Sequence, residues 1–114
     1  MKVLVTGGRH YADRERVYEE LDKLLESVAE SVLIIQGGAS GADRLARGWA
    51  NERSQQTCTF PYPSGHGRSG GPFRNSWMFR AIDVDFVLAF PGGKGTEDTV
   101  RRARILGKDL EVIE

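Results

Sequence analysis

The sequence predicts an α/β protein: a Rossmann-like, three-layer α/β/α fold around a five-stranded parallel sheet with strand order 3-2-1-4-5. Three observations lead there. Five short apolar, β-branched runs recur along the chain, at residues 2–6, 32–36, 57–60, 85–90 and 110–113. They are near-continuous rather than alternating, as expected of strands covered on both faces. Helical patterns lie between them, and glycine clusters mark the points where a strand passes to a helix. Strands alternating with helices imply a parallel sheet, and right-handed crossovers leave few topologies.

Each element has its own signature. After the first strand, Val17, Leu21, Leu24, Leu25 and Val28 form a helical stripe, with Asp13 placed as an N-cap. After the second, Ala42, Leu45, Ala46, Trp49 and Ala50 follow the i, i+3, i+4, i+7, i+8 spacing, and Gly48 is read as a close packing point on the sheet. A third helix is predicted to open at Pro72, a favoured first-turn residue, with Phe73, Trp77 and Ala81 facing inward. A fourth is predicted over 97–106, with Val100, Ala103 and Leu106 inward and Gly107 ending it. Trp49 and Trp77 are both read as core or subunit-interface residues, and Cys58 as core.

Composition bounds the function. The 114 residues suit a single domain over 1–114, with no internal repeat or linker. Sixteen basic and sixteen acidic residues cancel, which argues against a nucleic-acid coat. No apolar run approaches the length of a membrane span, and the N-terminal apolar stretch is too short for a secretory signal. Cys58 is the only cysteine, so no internal disulfide forms and a reducing, cytoplasmic setting is expected. No His, Cys or carboxylate group has metal-ligand spacing, and no cofactor is expected.

Glycine is the outlier, with 14 residues. Twelve sit in four clusters: Gly7 and Gly8; Gly37, Gly38 and Gly41; Gly65, Gly67, Gly70 and Gly71; Gly92, Gly93 and Gly95. In a parallel sheet these loops share one edge, and ligands bind there at the switch point between strands 1 and 4. Glycine lets backbone N–H groups approach an anion, and each following helix N-terminus adds partial positive charge. Tight turns alone also explain any single cluster. The dinucleotide fingerprint and the Walker A pattern are both absent: the loops read TGGRHYAD, GGASGAD and PGGKGT.

The motifs VTGGR at 5–9, GGASGAD at 37–43, GPFRNSWM at 71–78 and PGGKGT at 91–96 resemble the YpsA-related branch of the SLOG superfamily, over essentially the whole chain. The resemblance implies a Rossmann-like fold that binds nucleotides or nucleotide-derived ligands. A distantly similar branch, the LONELY GUY phosphoribohydrolases, cleaves nucleoside monophosphates at the N-glycosidic bond. Other SLOG proteins sense NAD-derived or cyclic nucleotide signals, and some bind single-stranded DNA. The hydrolases end their glycine motif on a catalytic glutamate; this chain has Thr99 there, with Glu97 and Asp98 beside it. Arg74, Asn75 and Met78 keep the arginine half of that pattern. His10 stands where relatives often carry aspartate, and the loop at 62–71 lacks their tryptophan.

The expected ligand site is therefore assembled from four segments. Gly7, Gly8 and Arg9 follow strand 1, Arg9 as a phosphate clamp or a surface ion pair. Gly38, Ala39, Ser40, Gly41 and Asp43 follow strand 2, with Ser40 toward phosphate and Asp43 toward ribose or the helix dipole. Arg74 and Asn75 come from the acid-free stretch 53–82, whose four arginines and His66 are hidden by the neutral total. Gly92, Gly93, Lys94, Gly95, Thr96 and Glu97 follow strand 4. Thr96 is equally an N-cap, and Glu97 and Asp98 equally pair with Arg101 and Arg102 one turn on. Tyr11 and Tyr62 are the loop aromatics suited to stacking, while His10 reads either as a titrating or stacking group or as a plain loop residue.

The expected function is binding of a nucleotide-derived small molecule, ADP-ribose-like or a cyclic nucleotide signal, by a sensor or sequestering protein. A free-standing module of this length has no room for an output domain and must signal through a partner, hold its ligand, or catalyse. The alternative is N-glycosidic hydrolysis, which needs a placed carboxylate that only Glu97, Asp98 or Asp43 could supply, with Glu97 the candidate. A single-stranded DNA adaptor is the third reading. A homodimer or homotetramer is expected, with no membrane and no nucleic acid as partner.

Overall fold

A computed structural model describes residues 1–114. The strands are β1 (Lys2–Thr6), β2 (Leu33–Gln36), β3 (Gln56–Thr59), β4 (Phe86–Ala89) and β5 (Asp109–Val112). The helices are α1 (Arg14–Ser27), α2 (Ala42–Glu52), α3 (Gly70–Ala81) and α4 (Lys94–Ile105). All strand pairs are parallel and the sheet order is β3-β2-β1-β4-β5. The predicted fold class and strand order therefore stand, with strand ends shifted by at most one residue.

Alternation along β1 divides the core. Val3 and Val5 face one side with Ile34 and Leu88, against Val17 and Leu21 of α1 and Ala42, Ala46 and Trp49 of α2. Leu4 faces the other side. It sits in register with Ile35 of β2 and Val87 of β4, and all three pack with Met78 of α3 and Ala103 of α4. Burial on both faces is why these strands read as continuous apolar runs. Trp49 is fully buried, and its Nε1 donates to Asp22 Oδ1 at 2.8 Å, so the indole loses no hydrogen bond inside. Asp13 caps α1 as the sequence predicts, its carboxylate accepting the Arg16 N–H at 3.1 Å.

Five expectations are corrected. α3 begins at Gly70, which puts Pro72 third in the first turn, where a missing N–H costs nothing. Its inward residues are Asn75 and Met78, so Phe73, Trp77 and Ala81 lie outside; Trp77 is 38% exposed and meets the Phe60 ring edge-on. α4 begins at Lys94, three residues early, because the Glu97 N–H bonds the Gly93 carbonyl at 3.0 Å. It buries Thr99 and Ala103, ends before Leu106, and leaves that leucine 54% exposed. Gly48 faces the Tyr18 hydroxyl of α1 rather than the sheet.

One glycine fixes the loop geometry. Gly41 has φ +76°, and a Cβ there would overlap the carbonyl of Gly8. Gly41→Ala is expected to destabilise the chain by about 3 kcal/mol, from strained backbone plus forced displacement of the β1 loop. Gly93→Ala, which has open space at its Cβ, is expected to change stability by less than about 0.5 kcal/mol. Urea denaturation of the two variants side by side measures the contrast.

Candidate functional site

A cavity of about 910 Å³ opens at the carboxyl end of the sheet, astride β1 and β4. A parallel sheet whose crossovers diverge to opposite faces leaves such a crevice between the two central strands. Its floor is Gly7 and Gly8 after β1 and Gly92 and Gly93 after β4. Ala39 and Asp43 form one wall, Arg74 and Asn75 of α3 another, and Lys94, Gly95 and Thr96 open α4. Thr6, His10, Tyr11 and Pro91 complete it, beside Arg9.

Twelve of the sixteen residues expected at the site line this cavity, and Gly38, Ser40, Gly41 and Glu97 do not. The Ser40 hydroxyl donates to the Arg9 carbonyl at 2.9 Å, which ties two loops together and turns it away from a ligand. Glu97 is exposed on α4 outside the cavity. The glycines after β3 are not on the lining either, so three glycine loops meet here rather than four. Thr96 is not an N-cap; that position is Gly93, and the Thr96 hydroxyl lies 3.5 Å from Thr6 Oγ1. Tyr62 is 52% exposed and bonds the Gly67 carbonyl, away from the cavity. Pro91 and Thr6 were legible only as neighbours of the glycine loops; His10 and Tyr11 follow Arg9 directly.

Two of the helices that start at this edge, α2 and α4, differ. Neither α2 nor α4 has a side-chain cap. The first N–H of α2, from Ala42, already bonds the Gly8 carbonyl at 3.3 Å. The loop before it is closed as well: Asp43 Oδ2 accepts the N–H groups of Gly37 at 3.1 Å and Ala39 at 3.3 Å, and the Gln36 amide oxygen accepts that of Gly38 at 2.6 Å. The start of α4 faces the cavity through Lys94, Gly95 and Thr96. An anion here meets the N-terminus of α4.

Arg74 is held from two sides. Its Nη1 donates to the Gly37 carbonyl at 3.0 Å and its Nε to Asn75 Oδ1 at 3.3 Å. Asn75 is buried and its amide is fully engaged, Nδ2 donating to the Gly95 carbonyl at 3.3 Å and to Asp98 Oδ2 at 3.0 Å. Asp98 in turn accepts Arg102 Nε at 2.8 Å and Arg101 Nη2 at 2.5 Å. Arg101 therefore pairs with Asp98 rather than with Glu97. A chain of hydrogen bonds runs from the outer face of α4 to the cavity wall.

Two carboxyls titrate in opposite directions. Burial raises the Asp43 pKa, against the Ala39 and Gly37 N–H groups and the charge of Arg74, which favour the ionised form. Burial also acts to raise Asp98, but hydrogen bonds from Arg102, Asn75 and Arg101 together outweigh it and hold that carboxyl below its ordinary value.

Both features are testable. Asp98→Ala leaves a buried Asn75 donor without a partner and is expected to cost about 1–3 kcal/mol in urea denaturation. Asp43 binds its proton more tightly folded than unfolded, so its contribution falls as pH rises from the ordinary aspartate value through the raised one. Asp98 contributes above the ordinary value and loses that contribution as pH falls through its lowered one. Stability measured from about pH 3 to 7 is expected to lose the Asp43 slope in Asp43→Asn and keep the acid-side loss.

The profile of the YspA, cpYpsA-related SLOG family (YAcAr) matches residues 1–62. Gene 61 protein of Mycobacterium phage D29 is 34% identical over 114 aligned positions, covering 93% of this chain and 90% of that protein. Two solved structures share the fold at 19% identity. DNA processing protein A (DprA) of Streptococcus pneumoniae superposes with TM-score 0.75 over 99% of this chain; the match spans 50% of the DprA chain. TM1055 superposes with TM-score 0.71, covering 96% of this chain and 71% of its own. With a parallel sheet in the order 3-2-1-4-5 and glycine loops flanking its central crevice, the chain belongs to the YspA, cpYpsA-related SLOG family.

Proposed function

We propose that this protein binds a phosphate-bearing, nucleotide-derived small molecule, of the ADP-ribose or cyclic nucleotide kind, as a sensor or sequestering protein. One observation carries the reading. Arg9, Arg74, Lys94 and the uncapped start of α4 converge on one cavity whose only carboxyl, Asp43, has a raised pKa. Clefts lined by one sign of charge concentrate ligands of the other. The cavity is of the size that encloses most of a small-molecule ligand. Asp43 Oδ2 is engaged by the loop, while Oδ1 has no intramolecular partner and suits a ribose hydroxyl.

Hydrolysis of an N-glycosidic bond is the second reading, and it rests on Asp43. Thr99 is buried with its hydroxyl on the Gly95 carbonyl, and Glu97 is off the cavity. No other carboxyl lines it.

Thermal denaturation with a panel of ADP-ribose, cyclic and linear nucleotides tests both. A ligand at 100 times its dissociation constant adds about 2.7 kcal/mol, which raises the melting temperature visibly. Chromatography of the same mixtures is expected to return the ligand intact; free base and ribose phosphate would establish hydrolysis instead. Lys94→Ala is expected to weaken binding at least about tenfold, the loss of one charge-assisted contact. No response to any nucleotide would sink the reading.

A further inference from the structure

Resting on the nucleotide reading above, we infer that this cavity recognises the phosphorylated sugar of its ligand and leaves the base unread. Reading a base edge takes paired donors and acceptors, which proteins commonly supply from side-chain amides. The cavity has one such amide, Asn75, and both of its ends are engaged: Nδ2 on the Gly95 carbonyl and Asp98, Oδ1 on Arg74 Nε. The other amide near this edge, Gln36, is fully buried, its Nε2 on Thr57 and Thr59 and its oxygen on the Gly38 N–H.

The groups left free have a different chemistry. Besides the His10 ring and the Tyr11 hydroxyl, they are the Arg9 and Lys94 cations, the open side of the Arg74 guanidinium, the Thr96 hydroxyl (bonded only from Thr6 Oγ1), the backbone at the start of α4, and Asp43 Oδ1. Four of these match phosphate oxygens, Thr96 matches either a phosphate or a sugar hydroxyl, and Asp43 matches a hydroxyl donor. The only aromatic ring on the lining besides the exposed His10 is Tyr11, half-buried, with Phe90 behind it at 5.4 Å between centroids. A single ring gives a base a stacking surface but no identity test, because every base presents a π-face.

The experiment compares AMP, GMP, CMP, UMP, ADP-ribose and ribose 5-phosphate by isothermal calorimetry on the whole chain. The four mononucleotides are expected within about threefold of one another, and ribose 5-phosphate is expected to bind more weakly by the stacking contribution, about fivefold or more. Tyr11→Leu keeps an apolar contact for Phe90 and is expected to bring the nucleotides down to the affinity of ribose 5-phosphate, leaving that ligand unchanged. A preference above tenfold for one base, or nucleotide or ADP-ribose binding with none for ribose 5-phosphate, overturns the inference and leaves the nucleotide reading standing. Binding of none of the six, and of none of the cyclic nucleotides in the panel above, overturns both.

Discussion

Much of this molecule hangs on the backbone of Gly8. Its N–H donates to the Pro91 carbonyl at 2.8 Å, and its own carbonyl accepts the N–H groups of Tyr11 at 3.1 Å and Ala42 at 3.3 Å. One residue thus joins the loop after β4, the rim of the cavity and the start of α2. Such an approach requires backbone without side chains on both sides. Gly92 lies against Gly8 N, and Gly41 against Gly8 O. The cavity floor is therefore a set of main-chain contacts between three loops, and its shape is set by the parallel sheet that brings those loops together.

That knot also decides the electrostatics. The Gly8 carbonyl takes the first N–H of α2, and Asp43 and Gln36 take N–H groups of the loop leading to it. The positive end of α4 stays available beside Lys94. The site is thus asymmetric across the switch point, with β4 and α4 supplying the anion side and α2 supplying a carboxyl. Asp43 then sits between a loop that stabilises its charge and a protein interior that disfavours it, and the interior prevails.

Strand order and the glycine loops were readable because doubly covered strands leave unbroken apolar runs and because glycine marks the βα turns. The face of α3 was not. Phe73 and Trp77 have core-like chemistry at helical spacing, yet the helix turns Asn75 and Met78 inward. A buried asparagine makes sense only once Gly95, Asp98 and Arg74 are seen around it, and those partners are distant in sequence. Ser40 is similar: its motif suggests a phosphate hydroxyl, but the carbonyl that captures it belongs to Arg9, 31 residues away. Local pattern reports which groups are polar; tertiary contacts decide which of them remain free.

The anchoring of Arg74 has a thermodynamic side. A free arginine carries about 2 kcal/mol of rotamer entropy. Held at Gly37 and Asn75, Arg74 has surrendered much of that freedom when the chain folds. Arg9 and Lys94 are exposed and have no hydrogen-bond or ion-pair partner through their side chains, so their ordering falls on the moment a ligand arrives. An incoming anion meets one wall already set and a rim that still has to settle. Affinity can then be tuned at the rim, by stiffening residues 9 and 94, with the fold and the anchored wall left as they are.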